Sequence, residues 1–187
     1  MPKTRLALAF LCAVGLAGCA KRSAESAIRD AESDMTAMQA AAEKVAPKEF
    51  KVLSDSVAAM KAKVAAGDYS GALMGARTVG TMARDLRANL ASRTTQLTNS
   101  FNGVAATLPK EIDAVTAKVR DLAAMKKLPK EVDPARFAAL KDQVGTWSQA
   151  WANADAAFKA GNLADALSQA NDLKNKVADA MKLVGLS

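Results

Sequence analysis

The residues of this 187-residue chain whose types could do chemistry are few: Cys12 and Cys19, an acidic run at Asp30, Glu32 and Asp34, and two tryptophans one helical turn apart, Trp147 and Trp151. Asp30 and Asp34 also sit one turn apart, a spacing that would let two carboxylates share a hard cation such as calcium. Carboxylates opposite an apolar stripe are more commonly a helix's solvated face, and that is the reading preferred for them. Trp147 and Trp151 share the apolar register of Val144 and Ala154, which points to core packing, with a ligand or partner face as the alternative. Lys126, Lys127 and Lys130 gather where a helix should end, where cations suit the dipole. The chain has no histidine, which removes the imidazole base, the imidazole metal ligand and the histidine pH switch. Phosphate loops, nucleophile elbows and metal-ligand spacings are absent from the sequence. The expectation is a non-enzymatic protein with no metal and no cofactor.

The cysteines belong to the chain's address. Lys3 and Arg5 precede an uncharged apolar run at residues 6–16, which ends in Leu16-Ala17-Gly18-Cys19. A charged start and an eleven-residue apolar run have the proportions of a secretory signal peptide and are too short to span a bilayer of about 30 Å. Leu16, Ala17, Gly18 and Cys19 resemble the lipobox of bacterial lipoproteins. That resemblance implies cleavage before Cys19, diacylation of its thiol and acylation of the new amino terminus. Residues 1–18 are then a removed leader, and Cys19 is the membrane attachment. Cys12 leaves with the leader, so the mature chain has neither a free thiol nor a disulfide. By the same resemblance, Ala20 in place of aspartate favours transfer to the outer membrane of a Gram-negative cell over inner-membrane retention.

Loss of Lys3 and Arg5 lowers the formal net charge of +7 by two, leaving a mildly basic mature chain. Basic and acidic residues are interleaved throughout, and only 4% of residues are aromatic. Export and the lack of stacking side chains both argue against nucleic acid as a partner. Anionic lipid or wall polymer remains compatible with the charge.

The elements that must position these residues are helices. Alanine, the best helix former, fills 43 positions, and half the chain is hydrophobic. Apolar residues alternate in steps of three and four: Ile28, Ala31, Met35, Met38, Ala42 and Val45; Phe50, Leu53, Val57, Met60 and Val64; Phe137, Leu140, Val144, Trp147, Trp151, Ala154 and Phe158; and Leu163, Ala166, Ala170, Leu173, Val177, Met181 and Val184. The punctuation is proline. Pro47, Pro109 and Pro129 each begin a Pro-Lys-Glu triplet suited to a first turn, and Asp133 is a natural cap before Pro134. The pattern predicts about six helices, at 23–45, 48–66, 69–106, 110–127, 134–160 and 163–184. The fold class expected is all-α, an antiparallel bundle or a stack of helical hairpins. The third helix would run about 55 Å if unbroken, with Asn102-Gly103 as its weak point. Gly71 and Gly75 predict a close helix approach near its start. Residues 19–23 are the lipidated cysteine and a short tether, in which residues 20–23 reach about 14 Å at most, and 24–187 one helical domain.

Two stretches echo each other. Pro47 to Gly67 and Pro134 to Gly161 both run from a proline to an Ala-Gly-Asp or Ala-Gly-Asn turn, and the second is longer by one heptad. Residues 47–90 and 134–184 therefore read as two related hairpins, each glycine ending a helix in a left-handed cap and Asp68 or Asn162 capping the next. The turn Ala66-Gly67-Asp68-Tyr69, followed by Ala72, Leu73 and Ala76, resembles the junction of tetratricopeptide repeats, in its turn chemistry alone. Over 27–90, Ala27-Ile28, Ala31-Glu32, Ala46-Pro47-Lys48-Glu49, Ala65-Ala66-Gly67-Asp68-Tyr69 and Ala72 resemble the Ala-rich helical envelope proteins grouped as domain-of-unknown-function family 4398. That resemblance implies an envelope helical hairpin and brings no active residues. The sequence thus predicts a lipoprotein at the periplasmic face of the outer membrane, offering an interaction or scaffold surface to an envelope protein. The alternative is a helical module that holds a lipid, glycan or wall polymer.

Overall fold

The computed structural model describes residues 4–186, with side chains from residue 19 onward. Among the described residues seven helices follow one another: α1 (Thr4–Val45), α2 (Pro47–Ala65), α3 (Tyr69–Ala105), α4 (Leu108–Ala123), α5 (Pro134–Val144), α6 (Trp147–Lys159) and α7 (Leu163–Val184). There is no strand among the described residues, so the all-α class stands. The chain divides into two compact units, residues 1–91 and 92–187, with α3 contributing to both.

In the first unit the apolar stripes meet as spaced. Ile28, Ala31, Met38 and Ala42 of α1 pack with Phe50, Leu53, Val57 and Met60 of α2 and with Val79, Ala83 and Leu86 of α3. A single residue, Ala46, separates α1 from α2. Proline at 47 disfavours helical geometry at the residue before it, and Ala46 accordingly sits at φ −144°, ψ 53°. So short a joint forces α2 antiparallel to α1, and the two pack together. Across that pair, Lys61 forms an ion pair with Glu32.

The turn from α2 to α3 shows why its glycine is needed. Gly67 lies at φ +80°, the left-handed region that side chains avoid. There the Asp68 amide donates to the Lys63 carbonyl at 2.9 Å and the Gly67 amide to the Val64 carbonyl at 3.0 Å, the paired bonds of a Schellman cap. The echoing turn is built alike: Gly161 has φ +79°, and the Asn162 and Gly161 amides donate to the Ala157 and Phe158 carbonyls. The two copies part at the next residue. Asp68 caps α3 by accepting the Gly71 amide at 2.8 Å. Asn162 makes no side-chain cap, contrary to expectation, because it occupies φ −79°, ψ 63°. There the Leu163 amide reaches the Gly161 carbonyl at 2.9 Å, an inverse γ-turn that aims the side chain elsewhere.

The second unit packs Phe101 and Val104 of α3 with Ile112, Val115, Val119 and Leu122 of α4, Phe137 and Leu140 of α5, Trp147 and Ala154 of α6, and the inner face of α7. Here α6 pairs with α7, and α4 lies against α5, α6 and α7. Phe101 is its hub. The rings of Trp151 and Phe158 stack on it with centroids 5.5 and 4.2 Å away.

Three boundaries differ from the expected ones. The stretch 134–160 is two helices: Gly145 weakens the chain, and the Thr146 amide and hydroxyl both turn back to the Gln143 carbonyl, at 3.0 and 2.8 Å. α4 stops at Ala123 instead of 127, and the third Pro-Lys-Glu triplet opens a turn, in which the Val132 amide donates to the Pro129 carbonyl. Pro134 arrives too soon after it for a helix to grow, and Asp133 is held extended at ψ 118°. By contrast α3 ends at Ala105, as expected to within a residue, and its weak point Asn102-Gly103 does not break it because Phe101 and Val104 anchor that turn in the core. Last, α1 begins before Cys19, so residues 20–23 are helical and continuous with the hairpin.

Candidate functional site

Cys19 is exposed on α1, with its thiol free. The helix carries straight on through Ala20, Lys21 and Arg22, with Lys21 Nζ 3.9 Å from Glu25, one turn further, and Ala24 is the first buried residue after it. Any group carried on Cys19 would therefore stand about 7 Å along the axis from the first packed side chain. The leader-like run at 1–18, with the lipobox residues Leu16, Ala17 and Gly18, lies outside the residues whose side chains are described. Among the described residues no helix is long and apolar enough to cross a membrane.

The tryptophans are drawn inward. Trp147 is only 3% exposed, and half-buried Trp151 stacks on Phe101, so both serve the core. What stays open beside Trp147 is a pair of shallow grooves along α7. One, of about 420 Å³, is rimmed by Gln143, Asn153, Gln169 and Asp172. The other carries Arg136, Lys176 and Asp179. Trp147 contributes to the lining of both, through the small part of its surface that is not buried.

The three acids do not converge. Glu32 turns toward α2 and Lys61, whereas Asp30 and Asp34 line a groove on the side of α3. A residue two positions on lies some 200° round a helix, so the spacing itself forbids a common site. No group of three or more acidic or cysteine side chains fit for a metal occurs among the described residues. Lys126, Lys127 and Lys130 are exposed in the loop after α4, beyond the helix end where the sequence placed them.

Gly75 fulfils the expected close approach: a methyl built there would sit 3.0 Å from Met60 Cγ on α2. Gly71 has another role, since a methyl there would overlap the capping carboxylate of Asp68 at 2.0 Å. Two residues that sequence reasoning passed over are prominent in space. Phe101 continues a three-and-four spacing from Leu90 and Leu97 to Val104 and Leu108, which would have placed it in a core. Arg77 faces Asp30 and Asp34 across their groove, a relation that only the packing of α3 beside α1 creates. No protein-family model, curated protein or solved structure matches this chain.

Proposed function

We propose that this chain is an exported lipoprotein, held at the periplasmic face of the outer membrane by lipid on Cys19, whose helical units act as a non-enzymatic interaction or scaffold module in the cell envelope. The observation that carries the reading is the uncharged run at 6–16 closed by Leu16-Ala17-Gly18-Cys19. Exposure of the Cys19 thiol supports it, since an acylating enzyme must reach that sulfur. Ala20 supports outer-membrane delivery. The scaffold role is supported by the lack of histidine and by a described surface of mixed charges that buries no polar side chain.

The test is a tagged copy in intact Gram-negative cells, wild type against Cys19→Ser. Growth with a clickable palmitate analogue labels the wild type alone if Cys19 is the anchor, and equal labelling of both sinks the lipoprotein reading. Crosslinking and mass spectrometry then address the role. A discrete envelope protein captured only by the lipidated form supports the scaffold, whereas capture of lipid or wall material alone shifts the reading to a polymer-binding module.

A further inference from the structure

From the groove between α1 and α3 we infer a docking surface for a second copy of this chain. Its walls carry opposite charge: Asp30 and Asp34 on α1, Arg77 on α3. All three are exposed, and none forms an ion pair with another among the described residues, although they line one groove. Between the charges lie the small residues Ala27, Ala31, Ala76 and Gly80, with Leu73 the larger apolar side chain of the lining.

The symmetry decides the occupant. A surface that meets its own copy across a two-fold axis must be self-complementary, each acid finding the other chain's base. Helices α1, α2 and α3 alternate in direction through short joints, so α1 and α3 run parallel, and the lining places residues 27–34 level with 73–80. A two-fold axis along the helices leaves heights unchanged. It brings Arg77 of each copy opposite Asp30 and Asp34 of the other, with no shift in register. The same axis keeps both Cys19 residues at one end of the dimer, so both anchors enter one membrane leaflet; this last step alone rests on the lipoprotein reading. An axis across the helices would send the two anchors to opposite ends.

The experiment is light scattering and crosslinking of the full chain in mild detergent, with lipid on Cys19 scored separately by mass. The wild type is expected to be a dimer whose association weakens as salt is raised. Arg77→Asp, which sets three acids against three, is expected to weaken association by roughly tenfold or more, and Asp30→Arg with Asp34→Arg likewise. Combining all three substitutions exchanges the walls and restores the dimer, and unchanged helicity by circular dichroism shows that each variant folds. A monomeric wild type overturns the inference. So does a dimer indifferent to Arg77→Asp, or a triple variant that stays monomeric. A lipidated monomer refutes only the dimer, and an unlipidated dimer refutes only the anchor.

Discussion

The first turn of α3 offers a sharp test of the packing logic, because Gly71 and Asp68 compete for one volume. The Asp68 carboxylate accepts the Gly71 amide at 2.8 Å, and a methyl at position 71 would lie 2.0 Å from its Oδ2. Asp68→Ala removes the cap and should cost about 1 kcal/mol. Gly71→Ala in the wild type evicts the carboxylate and loses the same bond. It recovers about 0.5–1 kcal/mol of helix propensity, so its net effect should be close to zero or slightly destabilising. In the Asp68→Ala background no cap remains to lose, and Gly71→Ala should stabilise by the full propensity gain. The double-mutant cycle therefore predicts a coupling of about 1 kcal/mol. For a chain of this size that is a melting shift of about 2–4 °C, read by circular dichroism, with loss of hydrogen-exchange protection at the position 71 amide. If Gly71→Ala stabilises equally in both backgrounds, the carboxylate is not held over residue 71 and the account of this turn is wrong.

Other substitutions separate backbone from packing. Gly67→Ala meets nothing within 4 Å but sits at φ +80°, so it should cost about 1–2 kcal/mol in thermal unfolding. By contrast Gly103→Ala, equally uncrowded and within α3, should stabilise by up to about 1 kcal/mol; effects of the same sign at both sites would refute the assignment of strain. Phe101→Ala should destabilise the second unit by about 3–5 kcal/mol and alter Trp151 fluorescence, since it empties the centre of the Trp151 and Phe158 stack; unchanged emission would rule that stack out. Asp133→Ala frees the Ala135 and Arg136 amides that its carboxylate accepts and should cost about 1 kcal/mol, with faster exchange at those two amides.

What could be read from the sequence was whatever depends on neighbours along the chain. The stripe from Phe50 to Met60 is buried as spaced, because helical period alone decides which side chains share a face. Gly67 and Gly161 end their helices as expected, because a positive φ is a local need. Readings failed where two local signals overlapped. The apolar register passes unbroken through Gly145-Thr146, so nothing in it marked the end of α5. Pro129 looked like Pro47 and Pro109, but Asp133-Pro134 lies too near downstream. Gly71 and Gly75 looked like one motif and serve two purposes, which only the side-chain positions of Asp68 and Met60 distinguish. For the candidate site the divide is the same: the Leu16-Ala17-Gly18-Cys19 motif is contiguous in the chain, whereas Arg77 comes to line one groove with Asp30 and Asp34 only through packing.

The proposed tether at 20–23 and the unbroken α1 would be reconciled by the proposed cleavage before Cys19. In the uncut chain, the amides of residues 19–22 donate to carbonyls four residues earlier within α1. On the proposed lipoprotein reading, cleavage before Cys19 would remove those acceptors and leave the first turn of the shortened helix with orphan amides. Lys21 and Arg22 then occupy the positive end of the dipole, an unfavourable placement worth about 0.3–1 kcal/mol each at low ionic strength. No buried side chain holds the turn until Ala24. The turn should therefore fray after cleavage, and the fixed helix should begin near Ala24. Hydrogen exchange measures this directly: the amides at 20–22 are expected to be protected in the uncut Cys19→Ser chain and fast in the processed lipoprotein. Replacing Lys21 and Arg22 with glutamate should restore part of the protection, since acids suit that end. Equal protection before and after cleavage would show that the lipidated terminus itself caps the helix, leaving the bundle rigidly joined to its anchor.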